Sequence, residues 1–229
     1  MKTALAFSGG KDSFACLFLN RDKLHEITVF WVNTGKVYPE TLQMIEFAKT
    51  MCPNFVEIHA DRDGQNARKG IPSDVVPVNY TDLGFVMTGQ KSVMIQDYLG
   101  CCFENIGRKI HDAAREHGIT HMIRGQRTDE THKSPARNGS VVDGIIYIQP
   151  IEDWTREEVI QYLAKHMDIP DHFSIGHSSL DCYDCTAYSR ESQDRVEFTR
   201  QKYPLFYMQY ASRMTLLKTA INSELSYGG

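Results

Sequence analysis

The sequence predicts an α/β fold: an open, mostly parallel twisted sheet flanked by helices, with a C-terminal helical extension. Three observations carry that expectation. Short runs of β-branched and aromatic residues alternate with helix-like segments through the first 60 residues. A glycine-rich turn, Ser8-Gly9-Gly10-Lys11-Asp12-Ser13, joins the first run to the first helix. The alternation resumes later, with a helix pattern before a run at 119–124. Strands separated by helices must run parallel, because each helix returns the chain by a right-handed crossover.

Residues 3–7 (TALAF) read as a short buried strand, and 12–20 as a helix with Phe14, Leu17 and Phe18 on one face. Residues 27–32 (ITVFWV) form a second buried strand. Pro39 opens a helix over 40–51, with Leu42, Ile45 and Phe47 among its apolar positions. Residues 55–60 (FVEIHA) make a third strand. The stretch 61–92 carries Pro72, Pro77, several glycines and no period, and is expected to be a long loop. A helix over 103–117 and a strand over 119–124 follow. Residues 125–144 are polar and irregular, and 145–149 (IIYIQ) form another strand. Thr155-Arg-Glu-Glu158 is a capping box, which starts a helix over 156–166. Residues 167–188 read as loop, and the remainder as mostly helical and amphipathic. The expected organisation is one domain over 1–188 and a helical extension over 189–229 packed on it.

The chain has 229 residues, with hydrophobic and charged fractions of 41% and 24%, which suit a globular α/β protein. The net charge of -4 gives no global attraction to nucleic acid or acidic membranes. No apolar run approaches the roughly 18 residues that span a bilayer. The N-terminal Met-Lys-Thr-Ala-Leu-Ala-Phe is too short for a signal peptide, so the expected location is cytoplasmic.

In an open parallel sheet, ligands bind at the carboxyl ends of strands. A helix start there offers unpaired N–H groups and partial positive charge, which suit phosphate. Glycines let the backbone approach. Ser8 and Ser13 supply hydroxyls, Lys11 adds charge, and Asp12 caps the helix or helps hold Mg²⁺. The pattern is not the P-loop GxxxxGK[ST]. It resembles the S-G-G-x-D-S signature of the PP-loop ATP pyrophosphatases. That resemblance implies an adenine nucleotide, cleaved between its α- and β-phosphates to adenylate a substrate.

Six cysteines are present, and four form a second constellation: Cys101-Cys102 and, after 79 intervening residues, Cys182-x-x-Cys185. Four thiolates suit zinc or an iron–sulfur cluster. Adjacent cysteines fit zinc knuckles poorly and fit different irons of a cubane better. Cys16 and Cys52 read as packing residues.

The cysteine spacing is similar to the four-iron motif of assimilatory adenylyl-sulfate reductases, relatives of phosphoadenylyl-sulfate (PAPS) reductases. Further segments match in order. "FWVNTGKVYPET" resembles their strand-end "DTG…PET", with Asn33 in place of Asp. "IRGQRTDET" resembles their glycine–arginine substrate segment. "IQPIEDWTREEVIQYL" resembles their "P-x-x-D-W" helix entry, and "SIGHSSLDCYDCT" their "SIGCxxCT". The resemblance spans residues 3–188. It implies a 4Fe-4S cluster on Cys101, Cys102, Cys182 and Cys185. It implies ATP or a related adenylyl nucleotide on Ser8–Ser13, with Thr34, Gly35 and Gly125 near it. It also implies Arg127 gripping the substrate's anionic group, with Lys11 and Asp12 in the catalytic set.

Sulfonucleotide reductases also use a cysteine near the C-terminus. This sequence ends "NSELSYGG", with no cysteine after Cys185. A serine hydroxyl lacks the polarizable, low-pKa sulfur that reaction needs. The pairing of nucleotide and cluster also resembles PP-loop sulfur-insertion enzymes such as tRNA thiolases. Three readings therefore stand. The first is an ATP-dependent sulfur-transfer enzyme. The second is a sulfonucleotide reductase using an external thiol, and the third a non-catalytic nucleotide-binding module with a structural metal. The implied partners are a sulfur-donor protein or thioredoxin-like reductant, a nucleic-acid acceptor, and a second copy in a homodimer. Gln126 and the polar residues Arg124, His132, Lys133 and Arg137 surround Arg127 in sequence. Arg108 and Lys109 follow the cysteine pair, and His177 precedes Cys182.

Overall fold

Strands that bury both faces need helices on both faces, and the chain supplies them in alternation. The computed structural model describes residues 1–89, 93–130, 134–175 and 180–226. Its strands are β1 (Thr3–Ala6), β2 (Ile27–Asn33), β3 (Phe55–His59), β4 (Ile71–Ser73), β5 (Ile95–Asp97), β6 (His121–Ile123), β7 (Val141–Val142) and β8 (Ile145–Ile148). Its helices are α1 (Lys11–Leu19), α2 (Pro39–Met51), α3 (Arg62–Lys69), α4 (Asp82–Thr88), α5 (Tyr98–Cys102), α6 (Arg108–Glu116), α7 (Arg156–Leu163), α8 (Gln193–Lys202) and α9 (Pro204–Ser226). The chain divides into two compact units. The first comprises Met1–Asn33, Tyr38–His59 and Arg108–Ser174. The second comprises Thr34–Val37, Ala60–Gly107 and Ile175–Gly229.

The first unit contains a six-stranded sheet in the order β3-β2-β1-β6-β8-β7. All its pairings are parallel except the edge hairpin of β7 with β8. Thr3 lies opposite Ile27 on one side and His121 on the other. The strand order therefore reverses at β1. Connections from β1 and β6 leave their carboxyl ends in opposite directions and open a crevice between them.

On one sheet face Ala4, Phe30, Met122 and Ile145 pack with Ala113, Ala114 and Ile119 around α6. On the other, Phe14 of α1 meets Phe7 edge-on, with ring centroids 4.9 Å apart, and lies 6.3 Å from Phe173. α7 starts at the expected capping box: Thr155 accepts from the Glu158 amide, and the Glu158 carboxylate accepts from the Thr155 amide. In the second unit β4 and β5 pair in parallel. Ile71, Tyr80 and Ile95 pack against Leu217 and Ala220 of α9.

The expected strands and helices recur, with four corrections. The expected loop over 61–92 instead holds α3, β4, a short 3₁₀ turn at Val78–Tyr80 and α4. α3 escaped detection because its buried positions are Arg62 and Gln65, so it has no apolar period. Asp61 and Thr81 cap α3 and α4 by accepting from the amides of Gly64 and Gly84. The helix expected at 103 begins at Tyr98 instead, capped by Asp97, and passes through a π turn at Phe103–Gly107. The irregular stretch 125–144 includes β7, joined to β8 by Asp143-Gly144, both with positive φ. α8 and α9 are helices, but no single apolar stripe forms. Leu217 is buried while Leu205, Met208 and Leu216 are exposed.

Phe14 is fully buried among Phe7, Phe47 and Phe173. Phe14→Ala is expected to cost about 3–5 kcal/mol, read as a lower urea midpoint. An unchanged midpoint would show that this cluster does not hold α1.

Candidate functional site

The turn after β1 is shaped by its glycines. Gly9 has φ 79°, where a side chain is strained, and a Cβ there would sit 3.1 Å from Thr41 Cγ2. Gly10 is the N-cap of α1 and provides no side-chain acceptor. Ser13 Oγ donates instead to the Gly10 carbonyl at 2.8 Å, and Ser8 Oγ lies 3.3 Å from Ser13 Oγ. The Gly10 amide donates to Ser8 Oγ at 3.3 Å. The start of α1 is thus left without a side-chain cap, at the point where the sheet order reverses. First-turn amides in that state attract anions.

The segment leaving β6 closes on this turn. A Cβ on Gly125 would come within 2.6 Å of the Asp12 carbonyl carbon and 2.9 Å of the Ser13 nitrogen, so main chain lies against main chain. Arg127, 6% exposed, brings Nε to 2.9 Å from Asp12 Oδ1. Lys11 Nζ lies 3.0 Å from Asp12 Oδ2. Asp12 therefore sits between two cations, yet its Oδ1 and Arg127 Nε meet as charges without an aligned hydrogen bond. Arg127 also approaches Asp129 at 3.4 Å and Glu130 at 4.0 Å. Glu130 is pushed up to about 7, chiefly by burial and then by the charge of Asp12, against the pull of Arg127 and Lys11.

The four cysteines of the motif all belong to the second unit and are free thiols. Burial is the main cause raising Cys101 to about 11 and Cys102 and Cys182 to about 12, and neighbouring cysteines add to each. Among the described residues no three His, Cys, Asp or Glu side chains converge as they would around a single metal ion. Asn105 donates to the Cys101 carbonyl at 2.9 Å, and Asn66 Oδ1 lies 3.7 Å from Cys101 Sγ. Gln96 ties this region together, donating to Asn66 at 2.9 Å and exchanging hydrogen bonds with Gln65. Tyr188 Oη lies 3.6 Å from Cys102 Sγ. Cys182 Sγ is 3.5 Å from Thr34 Oγ1.

Three arginines surround the Cys182–Cys185 turn, and sequence reasoning missed all of them. Arg62 is 2% exposed, with Nη1 2.7 Å from Asp184 Oδ1. Arg213 Nη1 reaches Asp184 Oδ2 at 2.5 Å. Arg195 donates to the carbonyls of Cys182 and Cys185 at 3.0 and 3.1 Å. The available signal was the acid inside Cys-Tyr-Asp-Cys, which needs a cation once buried.

The structure brings Ser8–Ser13, Gly125 and Arg127 together in the first unit. Thr34 and Gly35 belong to the second unit, where Thr34 touches Cys182. Arg108 and Lys109 begin α6. Arg124 lies over the Tyr147 ring, and Arg137 approaches Glu152 at 3.8 Å. Gln126 pins its loop by donating to the Ser134 carbonyl at 3.0 Å. His132, Lys133 and His177 lie outside the described residues. No helix among the described residues is long and apolar enough to cross a membrane.

The raised pKa of Glu130 predicts a pH signature. Folding favours its protonated form, so its contribution to stability is full below the ordinary 4.5 and is lost as pH rises through about 7. Glu130→Gln is expected to gain Tm relative to the wild-type chain across that window, with the difference level above it. A difference independent of pH would show that folding does not raise the Glu130 pKa.

No curated protein matches this chain. Among solved structures, PAPS reductase from Candida auris, crystallised as a phosphate complex, is similar at 14% identity and TM-score 0.55. The match covers 81% of this chain and 83% of that one. Yeast FAD synthetase in complex with FAD is similar at 10% identity and TM-score 0.41, over 71% and 49%. A predicted subunit of tRNA methyltransferase from Methanocaldococcus jannaschii is similar at 15% identity and TM-score 0.44, over 88% of each chain. The Candida likeness supports the fold alone. The phosphoadenosine phosphosulfate reductase domain model matches residues 2–188, and the chain belongs to that family.

Proposed function

We propose that this chain is an enzyme that binds ATP or a related adenylyl nucleotide, cleaves it between the α- and β-phosphates, and couples that activation to sulfur transfer. The observation that carries this reading is the uncapped glycine turn at α1, placed where the sheet order reverses and closed by the Gly125 segment. The amides of the turn and Lys11 would stabilise negative charge on the pyrophosphate side as it develops. Ser8 and Ser13 already share one hydrogen-bonded array and would offer their hydroxyls to phosphate oxygens. Arg127 holds the Asp12 carboxylate in place, and would grip a substrate anion that competes for its guanidinium.

The family resemblance implies two groups, Mg²⁺ and a four-iron cluster. Asp12 Oδ1, buried without an aligned hydrogen bond, suits a share in binding Mg²⁺, which would neutralise phosphate charge. On this reading Cys101, Cys102, Cys182 and Cys185 would hold a four-iron cluster; the support is their spacing in the sequence, because among the described residues no three such side chains converge around one point. Such a cluster supplies bound sulfide and a redox-active centre for sulfur chemistry. Thr34 would then steady Cys182, and Tyr188 would steady Cys102, through their hydroxyls. A sulfur-donor protein and a nucleic-acid acceptor are the partners this reading calls for.

The test begins with anaerobic purification, iron and sulfide analysis, and pyrophosphate release from ATP with Mg²⁺. Lys11→Ala is expected to weaken binding of a non-hydrolysable ATP analogue about tenfold to a hundredfold, the range of a charge-assisted hydrogen bond. Nucleotide binding with no pyrophosphate release under any donor would leave a binding module. Sulfite release from adenylyl sulfates with added thioredoxin would favour the reductase reading. A protein without iron or sulfide would remove the cluster.

A further inference from the structure

Arg124 follows β6 directly and stands one residue before Gly125, where the main chain meets the glycine turn. Its amide still belongs to the sheet, donating to the Ile148 carbonyl at 2.9 Å. Side chains two apart on a strand share a face, so Arg124 lies on the side of Met122. Met122 is opposite Tyr147 in the sheet, and the Arg124 guanidinium lies over the Tyr147 ring, 5.6 Å from its centroid. The side chain is half-buried. Burial lowers its pKa, against the pull of Tyr147 and Glu130.

A guanidinium drawn from water is costly without an acid partner. The acids at hand are engaged elsewhere. Asp12, Asp129 and Glu130 all approach Arg127, at 2.9, 3.4 and 4.0 Å. Among the described residues no carboxylate comes within ion-pair distance of Arg124, and of their charges only that of Glu130 acts on it through space. The face of an aromatic ring replaces an acid only weakly. Two arginines three residues apart thus differ in kind. An anion reaches Arg127 only by displacing carboxylates, whereas Arg124 offers its donors without that cost.

We propose that Arg124, resting on the Tyr147 ring at the carboxyl end of β6, is an anion-binding residue of the crevice and takes a tetrahedral oxyanion, phosphate or sulfate, that the glycine turn does not hold. The planar fork of a guanidinium matches two oxygens of such a group. The inference deepens the proposed function and rests on its placing a nucleotide in the same crevice. The oxyanion has two sources: an outer group of the nucleotide itself, or a second substrate.

The experiment compares the wild-type chain with Arg124→Gln, Arg124→Met and Arg124→Lys by calorimetry and thermal unfolding. The probes are a non-hydrolysable ATP analogue, inorganic phosphate and inorganic sulfate, the two ions with and without the analogue bound. Arg124→Gln is expected to weaken binding of at least one probe about tenfold to a hundredfold, the range of a charge-assisted hydrogen bond. Arg124→Lys is expected to recover part of that loss, because it restores the charge without the fork. A loss that includes the analogue assigns the oxyanion to the nucleotide. A loss confined to the ions assigns it to a second substrate. Arg124→Met keeps an apolar stem against Tyr147 and removes the charge, so it is expected to unfold at a higher temperature than wild type while binding as weakly as Arg124→Gln. Unchanged binding of every probe by the Gln and Met variants overturns the inference while the nucleotide reading stands. Ions that bind the wild-type chain and not Arg124→Gln, with no binding of the analogue to either, sink the nucleotide reading and keep the inference. A wild-type chain that binds none of the probes overturns both. Should Arg124→Gln fail to fold, Arg124→Met decides alone.

Discussion

The main chain at Gly125 lies against the main chain at Asp12 and Ser13, so closely that no side chain fits between them. That contact joins the exits of two neighbouring strands, β1 and β6. It fixes how far the crevice at the reversal of the sheet can open. It also delivers Arg127, two residues on, to the Asp12 carboxylate. Without a glycine at that point, the two loops would stand apart and a buried arginine would lose its acid. Much of the geometry around the glycine turn follows from one missing methyl group.

The second unit is organised differently. Its interior around the cysteines is polar, built from Gln65, Gln96, Asn66 and Asn105, with three arginines and one aspartate. Buried polar groups are costly without partners, and here most find one, each partner restraining another. The amides hold Cys101, Tyr188 reaches Cys102, and Arg195 braces the Cys182–Cys185 turn. Such a lining costs more to bury than an apolar one, and it presents the four thiols within an ordered shell of donors and charge.

The first unit was legible because its physics is apolar and periodic. The runs TALAF and ITVFWV, Pro39 at a helix start and the Thr155–Glu158 capping box each announced an element close to where it lies. The glycine turn was legible from its place between strand and helix. In the second unit only the C-terminal helices were legible; its short helices before them bury arginine and glutamine, and polar burial leaves no trace in hydrophobic spacing. Asp61 and Thr81 cap its helices, but the loop reading of that stretch rested on its prolines, glycines and missing period. Arg62 belongs to a partnership with Asp184 that 121 intervening residues separate in the chain. Only folding reveals such a pair.

The chain passes back and forth between its two units through six successive segments. The smallest, Thr34–Val37, is a brief excursion that nonetheless supplies the hydroxyl beside Cys182. During synthesis, therefore, neither unit becomes self-sufficient early. The sheet waits for β8, and the hydrophobic cluster of β4 and β5 waits for Leu217 and Ala220. Contacts of such long range make folding slow and leave strand edges unpaired in the interim. A gene cut at any single position would divide at least one of the two units, so complementary fragments would have to find each other before either could take shape.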